Sequence, residues 1–112
     1  MARSLLTDFE LMILLGILRV GDQAYGVTIA REVESTGGRR VVLAAVYAAL
    51  DRLEANSLVV STIGDPTPER GGRAKRFFSL TPTGLTAVRE TQRALVALWS
   101  DIPQLQLKGR RS

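Results

Sequence analysis

Two short runs with apolar alternation, Leu58-Val59-Val60-Ser61-Thr62-Ile63 and Phe77-Phe78-Ser79-Leu80, flank a glycine-rich cationic segment, Arg70-Gly71-Gly72-Arg73-Ala74-Lys75-Arg76. Period-two runs joined through a glycine turn predict a β-hairpin. Arg70, Arg73, Lys75 and Arg76 crowd its tip and return strand. Like charges this close repel one another unless a polyanion neutralises them, which points to a phosphate backbone. The same cluster also fits a solvated tip kept soluble by its charge. What precedes the hairpin decides between the two.

Three helical segments come first. Thr7-Asp8-Phe9-Glu10 has the pattern of a capping box, with Leu6 and Leu11 spaced as its hydrophobic staple. The helix that follows carries Phe9, Met12, Ile13, Leu14, Leu15, Ile17 and Leu18 and is apolar almost all round. More than one face of such a helix must be covered: either it is the central core helix or one face meets another subunit, and both together is the expectation. Gly21-Asp22 ends it. A second helix is expected from about Tyr25 to Ser35, with Tyr25, Ile29 and Val33 at four-residue steps and Gly37-Gly38 as its stop. Arg39-Arg40 lies in the link to a third helix, roughly Leu43 to Asn56. There Leu43, Val46, Ala49, Leu50 and Leu53 share one side; Ala44, Ala48, Asp51, Arg52 and Ala55 share the other, and Tyr47 stands at the border. Small outward residues let a helix approach a surface closely; alanine is also simply a good helix former.

Composition narrows the chemistry. The chain has 112 residues, enough for one domain with a modest core, and a net charge of +4. Of its cations only Lys75 and Lys108 are lysine. Arginine's planar fork matches phosphates and guanine edges better than a lysine point charge does. Cysteine and histidine are both absent. That excludes disulfides, thiolate zinc sites, and the commonest general base and metal ligand. With no P-loop or nucleophile-elbow motif either, no catalytic residue, metal or cofactor is expected. The longest apolar run, Leu11 to Leu18, is too short to span a bilayer, and the N-terminus lacks a signal pattern. A cytoplasmic chain without a membrane partner is expected.

Thr81-Pro82 opens a last helix, threonine as N-cap and proline at the first position. Leu85, Val88, Gln92, Leu95, Trp99 and Ile102 then form an a/d seam that Pro103 stops. This seam is the expected dimer interface, with Gln92 as a polar register mark. Three short helices followed by a basic hairpin is the winged helix-turn-helix order, in which the third helix enters the major groove and the hairpin touches flanking backbone or minor groove. The expected fold is therefore mainly α (α+β). It comprises a winged-helix DNA-binding domain over 1–81 with a two-stranded wing, a dimerisation helix over 82–103, and a disordered basic tail over 104–112.

Several stretches carry a family likeness: Ile13-Leu14-Leu15-Gly16-Ile17-Leu18, Tyr25-Gly26-Val27-Thr28-Ile29, Val46 to Glu54, Leu58-Val59, Gly72 to Phe78, and Leu80-Thr81-Pro82-Thr83-Gly84. In their order and spacing the chain resembles the PadR family of bacterial transcriptional regulators, in its subgroup with a single C-terminal helix. The resemblance implies a homodimeric repressor on a roughly palindromic promoter site, and relatives that often respond to a small-molecule effector. Where many relatives have serine and glycine near the start of the third helix, this chain has Val42-Leu43-Ala44-Ala45. On this reading Ala44 and Ala48 meet thymine methyls, and Tyr47 a phosphate or sugar. Arg39, Arg40, Arg73, Lys75 and Arg76 hold the backbone or a narrow minor groove. Arg52 either pairs with nearby Asp51 or Glu54 or reaches a phosphate. The alternative is a winged-helix adaptor whose third helix and wing bind an acidic protein.

Overall fold

The computed structural model describes residues 6–64 and 74–106. Within them α1 (Asp8–Val20), α2 (Gly26–Gly37) and α3 (Leu43–Ala55) lead into β1 (Val59–Ile63) and β2 (Arg76–Leu80), and α4 (Pro82–Trp99) follows. The hairpin tip with Arg70, Gly71, Gly72 and Arg73, and the tail from residue 107, lie outside the described residues.

The helix boundaries follow from local chemistry. Thr7 Oγ1 accepts the Glu10 N–H at 3.0 Å, and Glu10 Oε1 accepts the Thr7 N–H at 2.9 Å, so both halves of the capping box form. Gly38, left-handed at φ 78°, ends α2 as expected, two residues beyond Ser35 in helix length. The core is one cluster. Ile13, Leu14 and Ile17 of α1 meet Ile29 and Val33 of α2, Val46, Leu50 and Leu53 of α3, and Val59 and Phe78 of the sheet. α1 is central to it, yet Leu15 and Leu18 remain exposed.

The strands pair antiparallel, Val59 opposite Leu80 and Ile63 opposite Arg76. The Phe78 N–H also donates to the Ala24 carbonyl at 2.8 Å, which ties β2 to the α1–α2 link. Thr81 seats α4. Its hydroxyl accepts the Gly84 N–H at 2.9 Å and donates to the Ser57 carbonyl at 2.7 Å.

α4 stops short of its expected end. Ser100 is extended, its hydroxyl donates to the Val96 carbonyl at 2.8 Å, and Asp101 has φ 62°. A serine that bonds back to its own helix and a proline that keeps Ile102 extended both disfavour another turn. Ile102 is thus beyond the helix and off the seam, and Pro103 opens a short 3-10 turn, Pro103–Leu105. The seam itself divides. Leu85 is half-buried and Val88 buried against the chain's own core, whereas the helix from Gln92 to Trp99 is exposed throughout. An open apolar groove of about 760 Å³ runs between α1 and α4, lined among others by Leu6, Leu11, Leu58, Ala94 and Leu98.

Candidate nucleic-acid interface

α3 buries Val46, Ala49, Leu50 and Leu53 and turns Ala44, Ala45, Ala48, Asp51, Arg52 and Ala55 outward. Leu43, placed by its spacing on the inner side, is 40% exposed because it stands at the first helical position, beyond the edge of the core. The N-cap residue is Val42, which has no side-chain cap to offer. Glu34 accepts the preceding Val41 N–H at 2.8 Å instead. The link before α3 carries Arg39 and Arg40, both exposed. Arg39 Nη1 lies 3.9 Å from Asp8 Oδ2, a loose pair between two solvated side chains.

Tyr47 and the foot of the wing converge on one dipeptide. The Tyr47 ring packs over Gly26. Next to it, the Tyr25 ring meets Phe77 of β2 edge-on at 5.6 Å and lies 4.5 Å from Lys75 Nζ. Tyr25 and Gly26 therefore join the outer edge of α3 to the base of the wing, a role that spacing alone does not reveal. Thr28 fixes the dipeptide. Its Oγ1 accepts the Tyr25 N–H at 2.9 Å and donates to the Gln23 carbonyl at 2.5 Å.

Arg76, expected among the phosphate contacts, is engaged inside the chain. Nη2 bonds Glu54 Oε1, Nη1 lies 3.5 Å from Asp51 Oδ1, and Nε donates to Ser61 Oγ at 3.2 Å. Ser61 in turn donates to Glu54 Oε2 at 2.7 Å. The hydrogen bond from Ser61, and then the charge of Arg76, hold the Glu54 carboxyl below its ordinary 4.5. Arg52 finds a partner that local spacing did not suggest, Glu10 of α1, with Nε 3.5 Å from Oε2. Arg73 lies outside the described residues. Among the described residues no group of carboxylates is placed to hold a metal ion, and no helix is long and apolar enough to cross a membrane.

The sequence matches the PadR-like transcriptional regulator family over residues 14–90, well over half of the chain. Transcriptional regulator Rv3488 of Mycobacterium tuberculosis strain H37Rv is 35% identical over 83 residues, 72% of this chain and 71% of that protein. A PadR-like transcriptional regulator from Bacillus cereus superposes with a TM-score of 0.70 at 20% identity, covering 87% of this chain and 89% of its own, which is a likeness of fold. RosR of H. salinarum gives 0.65 at 28% identity, over 87% of this chain and 80% of its own. The family is one of transcriptional regulators, not of enzymes. The order of elements, the outward face of α3 and these similarities agree: the chain belongs to the PadR-like family of transcriptional regulators and is a winged-helix, DNA-binding regulator.

Proposed function

We propose that two copies of this chain form a cytoplasmic repressor on a roughly palindromic promoter site, each copy laying α3 in the major groove of one half-site. The observation that carries this reading is the outer face of α3. Its first two turns are small and exposed, bounded by Arg39 and Arg40 on one side and by Tyr47, Tyr25 and Lys75 on the other. A helix edged with alanine approaches base edges closely, so Ala44 and Ala48 reach thymine methyls while Tyr47 meets a phosphate or sugar. Arg39, Arg40 and Lys75, with Arg73 of the wing, hold the backbone.

A second copy would cover the far end of α4. Leu95, Val96, Leu98 and Trp99 are exposed there, the last two at 73% and 62%. The groove between α1 and α4 is apolar and lies on the same element. A two-fold pair that lays each α4 end into the other copy's groove satisfies both surfaces at once, as a closed isologous contact requires. Leu85 and Val88 then serve mainly the chain's own core, and the interface rests on Leu95, Leu98 and Trp99.

Enrichment of genomic fragments on the protein, with sedimentation of wild type and Trp99→Ala, tests the proposal. The expected outcome is a two-fold symmetric motif, binding whose log affinity falls linearly with log salt, and a wild-type dimer that Trp99→Ala loosens. Loss of the dimer weakens operator binding because a monomer forfeits the second half-site. A wild type that is monomeric at high micromolar concentration removes the palindromic reading. Binding to an acidic protein without binding to duplex DNA replaces it with the adaptor.

A further inference from the structure

The recognition helix proposed above carries two carboxylates where it would meet a polyanion. Asp51 lies on the same face as Ala44 and Ala48, seven and three residues before it on the helix, and its side chain is 68% exposed. Glu54 follows one turn later. The one cation on that stretch, Arg52, is turned toward Glu10 of α1. Left alone, Asp51 and Glu54 would repel phosphates on the flank of the groove.

We propose that Arg76 acts as the internal counter-ion of α3, masking Asp51 and Glu54 so that the helix can enter the groove, and does not itself serve as a phosphate ligand. This rests on the DNA-binding mode proposed above. Each of the three guanidinium nitrogens faces a group of this chain: Nη1 Asp51, Nη2 Glu54, Nε Ser61. The Arg76 Cζ lies 5.0 Å from the centroid of the Phe78 ring, which restricts its swing. Because Ser61 of β1 also bonds Glu54, the carboxylate joins both strands of the wing to α3. Arg76 pairs opposite Ile63 in the last pair of the ladder. Fixing it therefore fixes this end of the two strands relative to α3. The depressed Glu54 carboxyl agrees with a charged, fully partnered pair. Arg76 is thus a positioning residue, and its effect on DNA passes through the two carboxylates.

The two roles differ in how they respond to removal of the acids. In Arg76→Gln the carboxylates are uncovered, and operator affinity is expected to fall by about tenfold or more, as unmasked like charge against DNA does. In the triple variant Asp51→Asn, Glu54→Gln, Arg76→Gln, no charge is left to mask. It is expected to fold as wild type by thermal melting, to bind the operator within about threefold of wild type, and to keep the wild-type salt slope. A phosphate ligand lost from each copy would instead lower that slope by about 0.9 per copy and leave the triple variant weak. The triple variant has no unpaired carboxylate, so it remains decisive even if Arg76→Gln does not fold. A folded triple variant that binds about tenfold or more below a competent wild type overturns the counter-ion role alone. A wild type that binds no duplex overturns the DNA-binding mode, and this role with it.

Discussion

The phenol of Tyr47 on α3 rests against the backbone of Gly26 at the start of α2. A β-carbon at Gly26 would stand 2.4 Å from the ring carbon that bears the hydroxyl and from the hydroxyl oxygen itself. A glycine in the second helix thereby sets where a side chain of α3 points.

Gly26→Ala is expected to leave the fold intact, because what it displaces is the far end of a side chain that can swing aside. Tyr47 then loses its seat, and operator affinity falls by roughly fivefold, the scale of one misplaced backbone contact. Anisotropy titrations of Gly26→Ala beside Tyr47→Ala check this. Wild-type affinity in the glycine variant, with a clear loss in the tyrosine variant, would mean that Gly26 does not position the ring.

Gly84→Ala addresses a different kind of contact. A β-carbon there would lie 2.0 Å from the Leu58 carbonyl oxygen, which is backbone and cannot rotate away. The first turn of α4 must shift off the α3–β1 turn, at a cost of about 1–3 kcal/mol. Urea unfolding should show a lower midpoint, and an unchanged midpoint would refute the close seating of α4.

Two carboxyls, Glu32 and Glu54, are held below their ordinary range. Glu32 is held below its ordinary 4.5 first by Arg19, whose Nε lies 2.6 Å from Oε2, and then by the Thr36 hydroxyl at 2.8 Å. Glu54 is depressed by Ser61 and Arg76. A group whose folded pKa is lowered contributes stability above its unfolded value and loses it as pH falls through the folded one. Stability should therefore be insensitive to these groups at neutral pH and decline as pH drops below about 4.5, the ordinary glutamate value. Glu32→Gln and Glu54→Gln should each flatten the decline seen by thermal melting. A decline of wild-type steepness in both variants would remove these pairs from the acid transition.

Much of this fold is legible in the residues because its signals are local. The Thr7–Glu10 box, the Gly38 stop and the Thr81-Pro82 start are each set by a few neighbouring atoms. The inner side of α3 follows from a 3.6-residue period that burial of Val46, Ala49, Leu50 and Leu53 satisfies. Tertiary contacts are not encoded that way. Arg52 has acids beside it in sequence but meets Glu10, 42 residues away. Arg76 reads as a wing cation until the hairpin brings it to Glu54, 22 residues back. The apolar spacing of α4 continues to Ile102, yet the period cannot register that Ser100 bonds back to Val96 and turns the chain first. Nor can it distinguish Val88, which packs on its own core, from Trp99, which does not.

The claim that α3 lies in the groove is tested most directly by operator titration with Ala48→Glu. Ala48 is exposed, so the substitution leaves Val46, Leu50 and Leu53 untouched. Ala48 lies on the exposed side of the helix, where a substitution usually changes stability by no more than about 0.5 kcal/mol, so the variant should melt close to wild type. The new carboxylate would face base edges and phosphates, and the account predicts a loss on the order of a hundredfold in affinity, the scale of like charge forced into a charged interface. A folded Ala48→Glu protein that binds the operator as tightly as wild type would contradict it.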